Sequence, residues 1–502
     1  MSQINRPEVI AFLNAIKENP DDDSLRLILA DYLEERDDPR GTFLRCETEI
    51  ASMDRFDDRI WDLKKHRDQL WTEHQNEWLG PLESKAIAPS VGDERISCRG
   101  LLTLTMKRDE LLRKSTRDLA ETETWAWVEE VRTGIGQKGV PKLSDSPLLS
   151  GVSSLLLTQS ELRRAGAIAL GKASFVSNLR RLSLRGNRIK DAGMNALLQS
   201  GKLGQLTSLD LHDCQLRCPS IETMAQTDLR LETLLLDNNY LAGTGADALI
   251  QAPWLETLHT LGLSCTSVGT RGIQAIANCE RLSNLKSLDL SYARVEEEGC
   301  RLLTQASFTP NLIELDVSVH WFGEEHIRAL NEGEWPSLSS LDLSHNPIEV
   351  NEIQALLECE RLTRNLDILK LDCELLPGEV TTTLAEHPFL SQLRSLTIRA
   401  PHETSTFESL FQSPHVEQLQ ELCLPGSTWT GNYFPDFLSR TTMTSLRRLS
   451  MPEAILTEDW IEQLIHSKSL QNLREIEIPK GHLSPTTQEM LAERFDRNLS
   501  HS

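Results

Sequence analysis

The chain has 502 residues, of which 39% are hydrophobic and 25% are charged, a composition typical of an ordered protein rather than a disordered one. Its formal net charge of −23 at pH 7 argues against nucleic acid as a general partner, because phosphate binding requires a basic surface. Basic proteins or peptides are the more natural partners of such a chain. The N-terminal sequence lacks the pattern of a signal peptide, and no stretch approaches the ~18 apolar residues of a membrane span.

The ten cysteines are scattered along the chain without the spacing of a disulfide framework. Several of them occupy repeat positions where a small apolar group would pack, so we expect reduced thiols. Reduced cysteines are typical of the cytoplasm, which is the location that we expect for the protein.

Residues 1–80 are predicted to form an α-helical segment. Apolar periodicity indicates one helix that begins at Pro7, a second that begins at the acidic run 21–23, and a longer third from Phe43 to about Leu79. The acidic run fits the start of the second helix, because acids and a capping side chain are favourable at a helix N-terminus.

Residues 81–151 are predicted to be a linker with degenerate repeats, or an N-terminal cap. Apolar residues at 101–106 and at 128–131 indicate two strands, whereas GQKGVPKLSDSPLLSG (136–151) has the composition of a loop. Degenerate repeats in this position would cover the apolar end of a stacked array.

From residue 152 to residue 483 the chain repeats one pattern, apolar-x-x-apolar-x-apolar followed by an Asn and another apolar residue. The clearest copy is LRRLSLRGNRI at 179–189. A period of this length, with this spacing of leucines, is typical of leucine-rich repeats. About thirteen copies, spaced by 25 to 28 residues, begin at 152, 179, 206, 231, 258, 285, 312, 338, 366, 393, 419, 446 and 473.

Each repeat is predicted to contain a short strand over its first six positions, then a bend and a helix. The leucines of the strand should point inward, and the Asn should bind backbone groups of the bend through its side-chain amide. This Asn is found at Asn187, Asn239 and Asn346, and it is replaced, with weaker bonding or none, by Thr266, Ala293 and Pro401.

Stacked units of this kind predict an α/β solenoid curved into a horseshoe, with parallel strands on the concave face and helices on the convex face. Residues 484–502 are predicted to form a C-terminal capping helix and a tail.

Two stretches resemble known families. The repeats, with phrases such as NRIKDAGMNALL (187–198), resemble the ribonuclease-inhibitor-like class of leucine-rich repeats, which implies protein–protein recognition. The segment FLNAIKENPDDDSLRLILADYLEERDDPRGTFLR (12–45), with EWLGPL (77–82), resembles the bacterial repeat-companion domain, a module found ahead of repeat arrays. This second resemblance implies a family without implying a mechanism.

Side chains at repeat positions 2, 3, 5, 7 and 8 are predicted to face a partner on the concave surface. In the repeats that start at 206 through 338 these positions are mainly acidic, whereas the C-terminal repeats are mixed or basic. Clustered acids steer basic partners, and a tyrosine beside them would serve as an aromatic anchor. The candidate partner-binding residues are Asp210, Asp213, Asp237, Asp289, Tyr292, Asp316, Asp342 and His345. A second interpretation is that aspartate simply suits a solvated strand.

Motifs for nucleotide binding, metal binding or catalysis are weak in this sequence. The segment GAIALGKA (166–173) approaches a phosphate-binding loop but lacks the Ser or Thr that would hold magnesium, and it falls within a predicted helix. The pair Cys214 and Cys218 has no second pair nearby to complete a zinc site. We therefore predict no catalytic residues, no cofactor and no metal.

The sequence as a whole favours a non-enzymatic scaffold that binds a protein partner on the concave repeat surface. The alternative is a regulatory subunit that inhibits or activates a partner enzyme such as a GTPase. An enzyme with its site in residues 1–150 is a third interpretation, but that segment has no nucleophile–base or metal-ligand spacing. Neither nucleic acid nor a membrane is expected as a partner, and the oligomeric state stays open.

Overall fold

The computed structural model describes residues 5–87, 99–373, 377–399, 408–426, 433–479 and 481–495. The chain divides into two compact units. The first unit comprises Met1–Tyr240 with Gln251–Leu258, and the second comprises Leu241–Ile250 with His259–Ser502.

The first unit contains a parallel sheet whose strands follow one another in chain order. Its strands are β1 (Leu102–Thr105), β2 (Val128–Arg132), β3 (Ser154–Leu156), β4 (Arg181–Ser183), β5 (Ser208–Asp210) and β6 (Thr233–Leu235). Its helices are α1 (Pro7–Glu18), α2 (Asp23–Glu34), α3 (Arg40–Ser52), α4 (Arg59–Leu79), α5 (Arg108–Leu112), α6 (Lys114–Arg117), α7 (Glu123–Ala126), α8 (Gly136–Leu143), α9 (Pro147–Ser150), α10 (Arg164–Lys172), α11 (Lys190–Leu198) and α12 (Cys218–Ala225). Short 3-10 helices lie at Gly80–Leu82, Ser174–Asn178 and Pro253–Thr257.

The second unit repeats the same strand–bend–helix arrangement, again with parallel neighbours in chain order. Its strands are β7 (Thr260–Gly262), β8 (Ser287–Asp289), β9 (Glu314–Asp316), β10 (Ser340–Asp342), β11 (Ile368–Leu371), β12 (Ser395–Ile398), β13 (Glu421–Cys423), β14 (Arg448–Ser450) and β15 (Glu475–Glu477). Its helices are α13 (Ala242–Leu249), α14 (Gly269–Ala277), α15 (Glu297–Thr304), α16 (Glu324–Leu330), α17 (Val350–Glu358), α18 (Glu360–Thr363), α19 (Gly378–Glu386), α20 (Glu408–Phe411), α21 (Tyr433–Arg440), α22 (Glu458–Ile465) and α23 (Pro485–Arg494). Short 3-10 helices lie at Glu280–Leu282, Thr309–Asn311 and Pro388–Gln392.

The strands lie where the repeat pattern predicts them. In all thirteen predicted repeats a strand begins two residues after the repeat start, although it extends over only three or four residues rather than six. In the repeat that starts at 285, Leu285, Leu288 and Leu290 are buried, as the inward-facing positions require. The predicted strands at 101–106 and 128–131 are also confirmed, as β1 and β2.

A side-chain amide that is buried in the bend recurs in several repeats. Asn239 donates from Nδ2 to the carbonyls of Leu211 and Leu236, both at 2.8 Å, and to that of Asp237 at 3.2 Å. Its Oδ1 accepts from the amides of Cys214 and Leu216 at 3.2 and 2.8 Å. The amide therefore binds backbone groups of the bend, as the sequence predicts, and it also joins two successive repeats.

Equivalent contacts are made at the same repeat position elsewhere. Asn187 and Asn346 bind carbonyls of their own repeat and of the preceding one. Thr266 retains one such bond, from its hydroxyl to the carbonyl of Leu263, which agrees with the weaker bonding expected there. Pro401 lies outside the described residues.

The N-terminal helices differ from the prediction in one respect. The Asp22 side chain caps α2 by accepting from the amide of Ser24 at 3.0 Å, as expected. The predicted third helix, however, is two helices, α3 and α4. Asp54 accepts from the amide of Phe56 and Asp57 from that of Arg59, and these local bonds replace helical ones at the break.

The prediction of a loop at 136–151 was wrong, since the segment forms α8 and α9. Val140, Leu143, Leu148 and Leu149 are buried, so burial of apolar side chains outweighs the loop-like composition. At the other end of the chain α23 forms where a C-terminal helix is predicted, with Ser484 accepting from the amide of Thr487 at 3.2 Å.

Within the first unit, ionic contacts attach the N-terminal helices to the segment that precedes the repeats. Arg6 pairs with Glu123 at 2.5 Å and with Asp38 at 2.7 Å. The Nζ of Lys17 donates to the carbonyl of Gly151 at 2.8 Å. The helices are thus held against the strand-bearing part of the same unit.

Candidate functional site

Three aspartates form a row across neighbouring strands of the second unit. Asp289, Asp316 and Asp342 end β8, β9 and β10, and they lie in register with one another. Adjacent strands of a sheet are about 4.8 Å apart, and side chains alternate between its faces. The three carboxylates therefore lie side by side on the face opposite the buried leucines, and we name this row the acidic ladder.

Each carboxylate of the ladder is fixed by the turn that follows its strand. Asp289, Asp316 and Asp342 accept hydrogen bonds from the backbone amides two residues later, at 2.8, 2.9 and 2.9 Å. These bonds leave the second oxygen of each carboxylate for other partners. At one end, Lys370 of β11 lies in register with Asp342, and its Nζ is 3.1 Å from the carboxylate. The ladder thus holds its charge in a fixed geometry.

Asp316, the central carboxylate of the ladder, has an unusually high pKa. Burial raises the pKa of Asp316 to about 6, and the neighbouring charges of Asp342 and, more weakly, Asp289 act in the same direction. The hydrogen bonds from Ser318 favour the ionised form and oppose this effect. An approaching positive charge would relieve the repulsion, so the row is suited to a basic group.

A second row borders the ladder where the chain leaves the strands. Tyr292, Val319 and His345 occupy the same position in three successive repeats, with φ values of 53°, 60° and 57°. Their amides donate to backbone carbonyls of the next repeat at 3.0, 2.9 and 2.8 Å. We name these three residues the rim row. A left-handed conformation is uncommon for a β-branched residue such as Val319 and marks a backbone held by its surroundings.

The rim row and the next bend expose aromatic surface beside the acids. Tyr292 is 59% exposed, and Trp321, two residues after Val319, is 88% exposed. Large exposed aromatic side chains are enriched among the residues that dominate protein–protein binding. Their ring faces also attract the cations of Lys and Arg. The arrangement combines fixed negative charge with aromatic contact area.

The other predicted site residues differ in accessibility. In the first unit Asp210 accepts from the amide of His212 at 3.0 Å and from the hydroxyl of Ser183 at 2.7 Å. Asp213 is exposed, whereas Asp237 is only 8% exposed and offers little surface to a partner. In the second unit His345 is exposed, and its Nε2 lies 3.9 Å from Asp372.

Two surface residues were missed by sequence reasoning. Val319 shares its repeat position with Tyr292, and Trp321 occupies a variable position of the bend. Tyr240 and Ile455 stand at the same position as Trp321 in other repeats, and both are 72% exposed. Large apolar residues at this position were therefore the signal that could have revealed Trp321.

The weaker motifs gain no support from the structure. The segment 166–173 lies largely in helix α10, where Gly166 and Gly171 are buried, rather than in a loop between strand and helix. The nine cysteines described by the structure are free thiols. Among the described residues no group of three or more His, Cys, Asp or Glu side chains could hold a metal ion. None of the described helices combines the length and apolar character needed to cross a membrane.

One comparison with known proteins identifies the repeat class. A leucine-rich repeat family model matches residues 177–198. No curated protein matches the chain. Together with the thirteen strands found at the predicted repeat positions, the family match defines an α/β leucine-rich repeat solenoid.

Two solved structures are similar to the chain at low identity. One is a chain in the crystal structure of the Rad7 and Elc1 complex in yeast, with 15% identity over 72% of this chain and 86% of that one, at a TM-score of 0.40. The other is the leucine-rich repeat-containing protein LegL7 from Legionella pneumophila, with 15% identity over 49% of this chain and 85% of that one, at a TM-score of 0.37.

Proposed function

We propose that the protein is a non-enzymatic recognition scaffold that binds a basic segment of a partner protein on the strand face of its second unit. The observation that carries this proposal is the acidic ladder bordered by exposed aromatic side chains. Repeat proteins of this class present extended surfaces for binding. The free cysteines fit a cytoplasmic protein. We also propose, from the resemblance of residues 12–45, that the N-terminal helices form a bacterial repeat-companion domain.

The charges and the aromatic groups have different roles in this proposal. The ladder attracts Lys and Arg side chains over a distance and raises the rate of encounter. Tyr292 and Trp321 add contact area and cation–π attraction once the partner is bound. Lys370 neutralises only one end of the ladder, so Asp289 and Asp316 are the best positions for a test.

Reversing the charge of Asp289 and Asp316 together is expected to weaken binding of a purified partner by about tenfold or more. Two unfavourable contacts with a basic segment would replace two favourable ones, and each factor of ten corresponds to about 1.4 kcal/mol. The partner is first captured from the native host with the wild-type chain. The affinity of this partner for the wild type and for the double variant is then measured by calorimetry at one fixed salt concentration.

The matched control carries the same change of charge on exposed glutamates of the helices, Glu325→Lys with Glu360→Lys. This variant should bind within about twofold of the wild type, since its charges lie away from the strand face. Equal affinities for all three chains would refute the proposed surface. Loss in both double variants would indicate net charge rather than the ladder.

Affinity for the basic partner is expected to fall as the pH drops below about 6. Asp316, with a pKa of about 6, is ionised and attractive above this value and becomes neutral below it. The Asp316→Asn variant should bind more weakly at pH 7.5 and show a smaller loss between pH 7.5 and pH 5. Titrations of both chains at constant salt measure this difference. The His345→Gln variant, titrated in the same way, is the control for the contribution of the rim-row histidine to the pH dependence.

A further inference from the structure

A cavity of about 230 Å³ lies within the first unit, between the N-terminal helices and the strand face. It is bordered by the turn between α1 and α2, by α2 itself, by Arg99 three residues before β1, and by four strands or their flanks. Its volume suffices for several water molecules or one small oxyanion, given about 30 Å³ per water. The lining residues are Pro20, Asp21, Arg26, Arg99, Glu129, Arg181, Thr207, Ser208, Glu232 and Thr233.

Arg26 is the most unusual of the residues that line the cavity. Its side chain is 0% exposed, and its Nη1 donates to the carbonyl of Pro20 at 2.7 Å. Its Nε and Nη2 are buried and have no hydrogen-bond partner among the described residues. A buried charged donor without an acceptor is costly. An acceptor from outside the chain would offset this cost.

A second guanidinium group converges on the same point. Nη1 of Arg99 also donates to the carbonyl of Pro20 at 2.7 Å, so two positive groups share one acceptor. Burial lowers the pKa of Arg26; the charge of Glu129 opposes this effect, and the charge of Arg99 adds to it. A third guanidinium, that of Arg181, reaches the cavity from β4.

Acids also surround the cavity: Asp21, Glu129 and Glu232 line it, and Asp23 lies nearby. Glu129, which is buried, lies 2.5 Å from Nη2 of Arg181. Asp21 lies 3.2 Å from Nη1 of Arg99. Asp23 lies 3.6 Å from Nη1 of both Arg26 and Arg99, beyond hydrogen-bond distance. None of these carboxylates accepts from Nε or Nη2 of Arg26.

We propose that this cavity binds a phosphate group, held by Arg26, Arg99 and Arg181. Guanidinium groups that approach from three different elements match an oxyanion that offers acceptor oxygens in several directions. The hydroxyls of Ser208 and Thr233, which line the same cavity, supply neutral donors. Because α2 carries Arg26 and β4 carries Arg181, a bound phosphate group would link the N-terminal helices to the repeats. This site is separate from the acidic ladder and does not depend on it.

The test is calorimetric titration of the full chain, in chloride buffer, with inorganic phosphate and separately with phenyl phosphate. Saturable binding of one molecule per chain is expected. Arg99→Gln should weaken it by about tenfold, since a charge-assisted contact is lost. Arg26→Gln should weaken it at least as much, and its folding is checked by circular dichroism. Arg99 is partly exposed, so its variant keeps the test valid if Arg26→Gln does not fold.

Arg361→Gln, which removes a half-exposed arginine of the second unit, is the matched control and should bind as the wild type does. Tighter binding of phenyl phosphate would identify an esterified ligand, and equal binding would identify free phosphate. The proposal is overturned by absence of saturable binding of either probe at 10 mM, on the order of one hundred times a 0.1 mM dissociation constant. It is also overturned if Arg99→Gln binds unchanged, or if acetate binds as tightly.

Discussion

Replacing Asn239 with Ala is expected to lower the free energy of unfolding by about 4 kcal/mol or more. The side-chain amide makes five hydrogen bonds to buried backbone groups of two successive repeats. Alanine can make none of them, and each buried donor or acceptor left unsatisfied costs about 1–3 kcal/mol. No water can easily replace the amide, because Asn239 is only 1% exposed.

The matched comparison is Thr266→Ala, at the same repeat position. Thr266 makes one hydrogen bond through its hydroxyl, so its loss should cost only about 1 kcal/mol. Urea denaturation of both variants gives the stabilities. Hydrogen exchange of the Cys214 and Leu216 amides gives a local readout in case the array does not unfold in one step. The role assigned to the amide would be contradicted if Asn239→Ala lowered the free energy of unfolding no more than Thr266→Ala does.

The repeat strands could be predicted because one short sequence pattern specifies both the spacing of the leucines and which side chains are buried. Leu285, Leu288 and Leu290 are all buried, and leucines at those intervals are typical of the strand and bend of a leucine-rich repeat. The acidic ladder follows from the same register. Asp289 and Asp316 stand at equal repeat positions, so parallel pairing makes them neighbours.

Other features depend on contacts that no local pattern specifies. The break between α3 and α4 arises where Asp54 and Asp57 bind nearby amides, in a stretch whose apolar spacing continues. The helix α8 forms because Val140 and Leu143 find a place in the core. The cavity places Arg26 of α2 beside residues of strands far along the chain, which sequence spacing does not reveal.

Replacing Lys17 with Met is expected to raise the free energy of unfolding at pH 7 by about 3 kcal/mol. Lys17 is buried, and burial lowers its pKa from 10.5 to about 7, although the charge of Glu129 opposes this effect. One pKa unit corresponds to about 1.4 kcal/mol, and the lost bond from Nζ to the Gly151 carbonyl offsets part of the gain. Methionine has a similar length and carries no charge to desolvate.

The pH dependence distinguishes this cause from better packing. Because the folded pKa lies below the unfolded one, the unfolded chain holds more protons between pH 7 and 10.5, and wild-type stability rises with pH across that window. The advantage of Lys17→Met should therefore be largest at pH 7 and below and should shrink as the pH rises. Near pH 10.5 the variant should be about 1 kcal/mol less stable than the wild type, because it lacks the bond from Nζ to the Gly151 carbonyl. Urea denaturation from pH 6.5 to 10.5 measures it. The control Lys65→Met, at an exposed position of α4, should stay within about 0.5 kcal/mol of the wild type at each pH. A constant difference between Lys17→Met and wild type would show that the buried charge is not what destabilises this position.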